Sequence, residues 1–410
     1  MENIMLHVAS CEQAKELLNL KFGNRYVGKE QIALADVVNR VLAQSIVAKE
    51  DVPGFDRSTV DGFAVHAADT FGSSESIPAL LRNIGEVTMG KSCELKCERG
   101  ECVAIPTGGQ LPQDADAVVM MEVTEDYGDG LVGITKPVGP GQNVIYRHDD
   151  VSFGEEIYSC GKRLKTTDIG ALAALGVTEV LVSKRPIVGI LSTGDEVVPF
   201  DVTPRIGQVR DINSVLLSAS VTRTGALPRR YGICSDDDDM LQERISAMAR
   251  ECDVIFLSGG SSVGAKDALK RSVEALGEVY LHGIAVKPGK PTLFGEVNGK
   301  PLIGFPGHPA AVYFIYDLFA DPLLRGMMGE IITLPPPCYK AKLTNTIPSN
   351  HGRQEYIAVS LTTEEGLLTA DPLMSKSGLI TQFTRADGYI EVPRDCEGFS
   401  EGDWVNVIAL

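Results

Sequence analysis

No unbroken apolar run in this 410-residue chain approaches the ~20 residues that cross a bilayer as a helix, so none is expected to. Residues 1–9 lack a basic stretch followed by an apolar core, which argues against a signal peptide and makes a cytoplasmic enzyme the expectation. The nine cysteines are an odd number scattered from Cys11 to Cys396, which is not a disulfide framework. There is no internal repeat and no Ser-His-Asp or Cys-His arrangement. Basic charge is also short: 38 Lys and Arg stand against 55 Asp and Glu, for a net charge of −17. So negative a surface repels polyphosphates and anionic headgroups, which disfavours nucleic acid and membranes as partners. A small anionic substrate would need a local positive field.

What is present reads as an ordinary globular protein of two to three domains, with 44% hydrophobic and 23% charged residues. Ser10 and Gln13 form a capping-box pattern ahead of Ala14, Leu17 and Leu18, and Gly23 marks a stop. Short β-type runs at 102–105, 117–121 and 131–134 make residues 46–139 an all-β unit. Within it, Cys93, Leu95 and Cys97 alternate with charged residues. That pattern suits packed thiols on a strand better than a zinc site, for which the spacing to Cys102 is wrong. Residues 166–175 read as a helix capped by Thr or Asp. Between 179 and 329, apolar strands at 186–192, 230–234, 254–258 and 302–305 alternate with helices at 214–224, 240–249, 267–276 and 310–319. This predicts a doubly wound parallel sheet covered on both faces. After the prolines at 335–337, short alternating strands predict a second β unit.

Ligands of open α/β sheets sit beyond the carboxyl ends of the strands. Here those ends carry STGDE (192–196), the run 235–239, SGGSSVG (258–264) and PGHP (306–309). Gly/Ser loops entering helices expose backbone N–H groups to anions. KPGKP (287–291) adds Lys287 and Lys290 on a bent backbone, an oxyanion clamp or else a solvated loop. Asp195, Glu196, Asp236 and Asp237 have the oxygen chemistry of a Mg²⁺ site, and equally that of helix caps, the reading preferred for Asp238 and Asp239. Residues 51–65, with Asp56 and Asp61, read from physics alone as a kinked loop with Asx-turns.

These motifs resemble the molybdopterin molybdenumtransferases, the molybdenum insertases related to the gephyrin E domain. The matching stretches are PGFDRSTVDGFAV (53–65), PTGG (106–109), GQNV (141–144), STGDE, SGGSSVG, KPGKP, FPGHPAA (305–311) and GRQEY (352–356). They lie in family order along nearly the whole chain. The resemblance implies a mixed N-terminal domain (1–45 plus 140–178), an inserted β domain (46–139), an adenylyltransferase-like α/β domain (179–329) and a C-terminal β-barrel-like domain (330–410). It implies a homodimer whose subunits share a cleft, fed by an upstream molybdopterin adenylyltransferase. The implied reaction consumes molybdate and adenylated molybdopterin with Mg²⁺ and releases AMP and molybdenum cofactor.

Carried over by motif, the catalytic residues would be Asp61, Asp150, Glu196, Asp237, Lys287 and Lys290, with Glu196, Asp236 and Asp237 near the metal. Binding would fall to Thr107, Ser192, Thr193, Gly194, Gly259, Gly260, Ser262, Gly264, Asp267, Pro291, Pro306, Gly307, Arg353 and Ser375 or Ser377. Of these, Asp61, Thr107 and Asp150 match positions contributed by the second subunit. The chain departs from the pattern at His308, usually Asn, at Ala310 and Ala311, at Ser261 and at YRHDD (146–150), which touches the ligand edge more than the fold. An adenylyltransferase, a gephyrin-like scaffold and tungstate in place of molybdate are the alternatives. The long flanking regions weigh against the first, and the retained acids and lysines against the second.

Overall fold

A computed structural model describes residues 8–259, 268–364, 366–373 and 378–410. Its central sheet runs, edge to edge, Leu227–Cys234, Ile187–Thr193, Val254–Ser258, Lys300–Phe305, Leu293–Val297 and Gly277–His282. The first four strands are parallel, as their apolar runs predict. The last two join by antiparallel pairings, so Leu293–Val297 runs against the other five, a correction to an all-parallel sheet. Asn298 and Gly299, both at positive φ, make the tight turn from Leu293–Val297 into Lys300–Phe305, the hairpin chemistry of an Asn-Gly pair.

Alternation along each strand fills two layers. Ile190, Phe256 and Ile303 face a core shared with helix Asn213–Thr224 and with Pro309–Ile315. Leu191, Ile255 and Leu257 face helices Asp238–Glu251 and Ala268–Leu276. Helix Pro309–Ile315 does not run straight on to 319. A π turn at Tyr316–Ala320 leads into Asp321–Met327.

Helix Cys11–Phe22 carries the expected capping box, with Ser10 Oγ accepting from Gln13 N and Gln13 Oε1 accepting from Ser10 N. Its buried Cys11, Ala14, Leu18 and Phe22 join the α/β core, so residues 11–22 stand with that layer rather than with the mixed unit. Conversely, Glu179–Ser183 pairs with Lys29–Ala33 and belongs to the mixed unit. Helix Thr166–Ala174 begins at Lys165, whose N–H is taken by Asp168 from inside the helix; no Thr caps it.

The inserted sheet is ordered Ala117–Met120, Gly62–Val65, Glu101–Ile105, Ala79–Glu86, Leu131–Ile134 and Thr124–Gly128. Residues 51–65 are therefore not simply a loop: Gly62–Val65 lies between two antiparallel partners. The Cys93–Cys97 segment keeps its alternating burial without being a strand, and an isolated bridge from Lys96 to Gln113 ties it to the rest. Burial pushes the Cys97 and Cys102 thiols up to about 12, so both are protonated at neutral pH.

The C-terminal strands Gln354–Glu364, Leu367–Pro372, Cys338–Leu343, Trp404–Ala409 and Gly388–Val392 form a barrel that closes on its first member. Closure removes free edges. One added strand, Val286–Lys287 from the α/β unit, pairs in parallel with the start of Gln354–Glu364. That pairing fixes KPGKP against GRQEY.

A second tie joins the mixed unit to the α/β unit. Arg163 grips the Glu330 carboxylate through Nε (2.9 Å) and Nη2 (2.5 Å), and Arg325 Nη1 reaches it at 3.0 Å. Burial alone would raise the Glu330 carboxyl, but these guanidiniums overcome it and hold it below the usual carboxylate range. A carboxylate lowered on folding adds stability above its unfolded pKa, about 4.3, and loses it as pH falls through the folded value. Glu330→Ala leaves Arg163 bonded to Asn39 O and Arg325 to Asp321, and should cost about 1–3 kcal/mol in urea unfolding at pH 7. The gap from the unaltered chain should narrow below about pH 4; a gap independent of pH would contradict the account.

Candidate functional site

Three segments distant in sequence meet in one cleft of about 660 Å³: Lys287 to Pro291, Pro306 to His308, and Arg353 to Ala358. Gly289 makes the KPGKP bend possible. Its φ is +129°, and a Cβ there would lie 2.7 Å from Ile315 Cδ1. Thr292, fully buried, donates from Oγ1 to Gly289 O at 2.7 Å and fixes the loop from behind. The cleft thus brings together Lys287, Lys290, Pro291, Pro306, Gly307 and Arg353.

The two lysines are not equivalent. Lys287 Nζ lies 2.5 Å from Glu355 Oε1, and Ser349 Oγ donates to Glu355 Oε2 at 2.8 Å. Glu355 is buried, and sequence reasoning missed it because its partner lies in another domain. Half of the expected clamp is therefore already charge-paired. Lys287, Lys290, Arg353 and Glu355 together leave two positive charges in excess. Two unit charges 4 Å apart interact by about 4 kcal/mol at an effective dielectric of 20. Such an excess can hold a dianion against a chain of net charge −17.

Beside the cleft lie the carboxyl ends of the parallel strands. Ser192 and Thr193 are buried, with Ser192 Oγ donating to Asp211 Oδ1 at 2.8 Å. Gly194 (φ +133°) turns the chain beneath the Glu196 carboxylate, 2.8 Å from where a Cβ would stand. Gly259 is obligatory for space: a Cβ would fall 2.1 Å from Thr193 O. Asn213 Nδ2 donates to Ser258 Oγ and to Gly307 O, both at 2.9 Å. Asp211 and Asn213 escaped the sequence reading because an Asp-x-Asn opening a helix looks like an ordinary cap.

The acidic loops touch where Asp236 N approaches Asp195 Oδ1 at 3.4 Å. Asp195, Glu196 and Asp236 are exposed oxygen donors suited to a hard cation. Among the described residues no three metal-ligating side chains converge. These carboxylates would supply only part of a Mg²⁺ ligand set, with places left for phosphate oxygens. Asp237 caps the helix Asp238–Glu251, its Oδ1 accepting from Met240 N at 2.9 Å, which leaves Oδ2 for a cation.

On the inserted sheet, Asp61 Oδ1 accepts from Thr107 N (2.7 Å) and Thr107 Oγ1 (3.1 Å), and both residues are exposed. Asp150 is exposed too, its N–H bonded to Val52 O. None of these three lines the cleft within one chain. Gly260, Ser261, Ser262, Gly264, Asp267, Ser375 and Ser377 lie outside the described residues.

Comparison with known proteins gives this arrangement a context. Residues 9–176 match the MoeA N-terminal region (domain I and II), 189–326 a probable molybdopterin binding domain, and 340–410 the MoeA C-terminal region (domain IV). A molybdopterin molybdenumtransferase of Bacillus subtilis is 31% identical over 387 residues, 93% of this chain and 90% of the relative. A putative molybdopterin biosynthesis protein of Methanocaldococcus jannaschii is 31% identical over 392 residues, covering 93% and 92%. The crystal structure of a molybdopterin biosynthesis MoeA protein from Pyrococcus horikoshii superposes with a TM-score of 0.80 at 35% identity, covering 98% of this chain and 99% of that one. The chain belongs to the molybdopterin molybdenumtransferase family, the MoeA enzymes of molybdenum cofactor biosynthesis.

Proposed function

We propose that this chain inserts molybdate into adenylated molybdopterin and releases AMP with the finished cofactor. The observation that carries this reading is the meeting of Lys290, Gly307 and Arg353 in one cationic cleft beside the strand-end loops. A tetrahedral dianion fits there, held by Lys290 and Arg353, with Lys287 sharing its charge with Glu355. The adenylated pterin lies along the strand ends, its phosphates toward Gly194 and Gly259. Water attacks one phosphorus of the anhydride, the bridging P–O bond breaks with its electron pair staying on the other phosphate, and the proton that water loses goes to solvent. Molybdate takes the two thiols of the pterin as ligands, one of its oxygens leaving with their two protons as water. Such a displacement needs positioning and charge stabilisation more than an activated protein nucleophile. Glu196, Asp236 and Asp237 would hold Mg²⁺, which when bound offsets charge on the phosphates. Asp61, Thr107 and Asp150 act on the cleft of a second copy of the chain, and an adenylyltransferase supplies the substrate.

The test is AMP release from adenylated molybdopterin, with molybdate, with tungstate and with neither. AMP release that depends on the oxyanion is the expected result. AMP release indifferent to it, or adenylation of molybdopterin from ATP, would contradict the reading; the second would identify an adenylyltransferase.

A further inference from the structure

Asn213 opens the helix Asn213–Thr224 and is 8% exposed. Its amide nitrogen spends its two hydrogens on two different strand ends. One goes to Ser258 Oγ, the last residue of Val254–Ser258, and the other to Gly307 O in the loop after Lys300–Phe305. Gly307 lines the cationic cleft. Ser258 immediately precedes Gly259, whose backbone presses on Thr193. The side-chain oxygen of Asn213 is buried and accepts no hydrogen bond among the described residues. Burying an amide oxygen unpaired costs about 1–3 kcal/mol, so the residue is not there for stability alone.

We infer that Asn213 is a positioning residue that sets the spacing between the oxyanion cleft and the strand-end site, and so aligns the two substrates with each other. The inference rests on the proposed reaction but assigns Asn213 no contact with the reacting atoms. It accounts for a side chain that spans two loops while leaving its own acceptor empty: Ser or Ala would pack there, but neither can donate twice. A misplacement of about 1 Å between reactants costs on the order of 10²-fold in rate.

The test is Asn213→Leu, which keeps a similar size and removes both donated hydrogen bonds, with Asn213→Asp beside it, where Ser258 Oγ can donate back to the carboxylate but Gly307 O meets an oxygen of like partial charge. Molybdate binding and adenylated-pterin binding, each measured alone by titration calorimetry, should stay within about two-fold of the unaltered chain, while coupled AMP release falls about 10- to 100-fold. Ser258→Ala, which removes one arm only, should give a smaller loss, and its combination with Asn213→Leu should be no worse than Asn213→Leu alone. Ser258→Ala carries the test if Asn213→Leu does not fold. Unchanged turnover in either folded variant would overturn the inference, as would a turnover loss matched by equal losses in both separate affinities. If the unaltered chain itself shows no oxyanion-dependent AMP release, it is the proposed function that fails, not this assignment.

Discussion

Replacing Lys290 with Ala should reduce molybdate-dependent turnover by about 10²- to 10³-fold, the loss typical of removing one preorganised charge-stabilising group. The melting temperature should hardly change. The Lys290 side chain enters no ion pair among the described residues, and its backbone bond to Ile284 survives the substitution. Lys287→Ala should behave differently. It strands the buried Glu355 carboxylate beside the cleft, so stability falls as well as turnover. Circular dichroism melts beside turnover assays separate the two. Equal melting losses in both variants, or normal turnover in Lys290→Ala, would dismiss the clamp.

The second large effect concerns the shared cleft. Asp61→Asn and Glu196→Gln should each be nearly inactive alone. Mixed and allowed to exchange subunits, they should recover about a quarter of full activity. Half of the dimers become mixed, and each mixed dimer has one intact site and one doubly altered one. Asp61→Asn retains an oxygen for Thr107, so the loop it anchors keeps its acceptor. Absence of recovery, with subunit exchange verified by native mass spectrometry, would place each site within a single chain.

Much of this architecture is written locally. The four parallel strands are continuous apolar runs, and the Ser10–Gln13 box is a contiguous signal. The antiparallel hairpin was overlooked although Asn298–Gly299 announces it, because the strand before the turn reads Leu-Phe-Gly-Glu-Val and lacks a clean alternation. Asp237 shows how one local signal carries two roles. An acid ahead of a helix serves equally as ligand or cap, and its hydrogen bond to Met240 N shows the cap while leaving the second oxygen for a ligand role. Lys287 was legible as a cation but not as a paired one, since Glu355 reaches it through a strand pairing between separate domains. Contacts between domains leave no local trace in the sequence, and the site's charge balance depends on them.

The claim on which the rest stands is that the oxyanion lies between the KPGKP bend and Arg353. Anomalous diffraction at the molybdenum edge, from crystals soaked in molybdate, tests it most directly. The account predicts one strong peak within hydrogen-bonding reach of Lys290 and Arg353, lost in Lys290→Ala crystals treated alike. A peak elsewhere, or one that persists undiminished without Lys290, would contradict it.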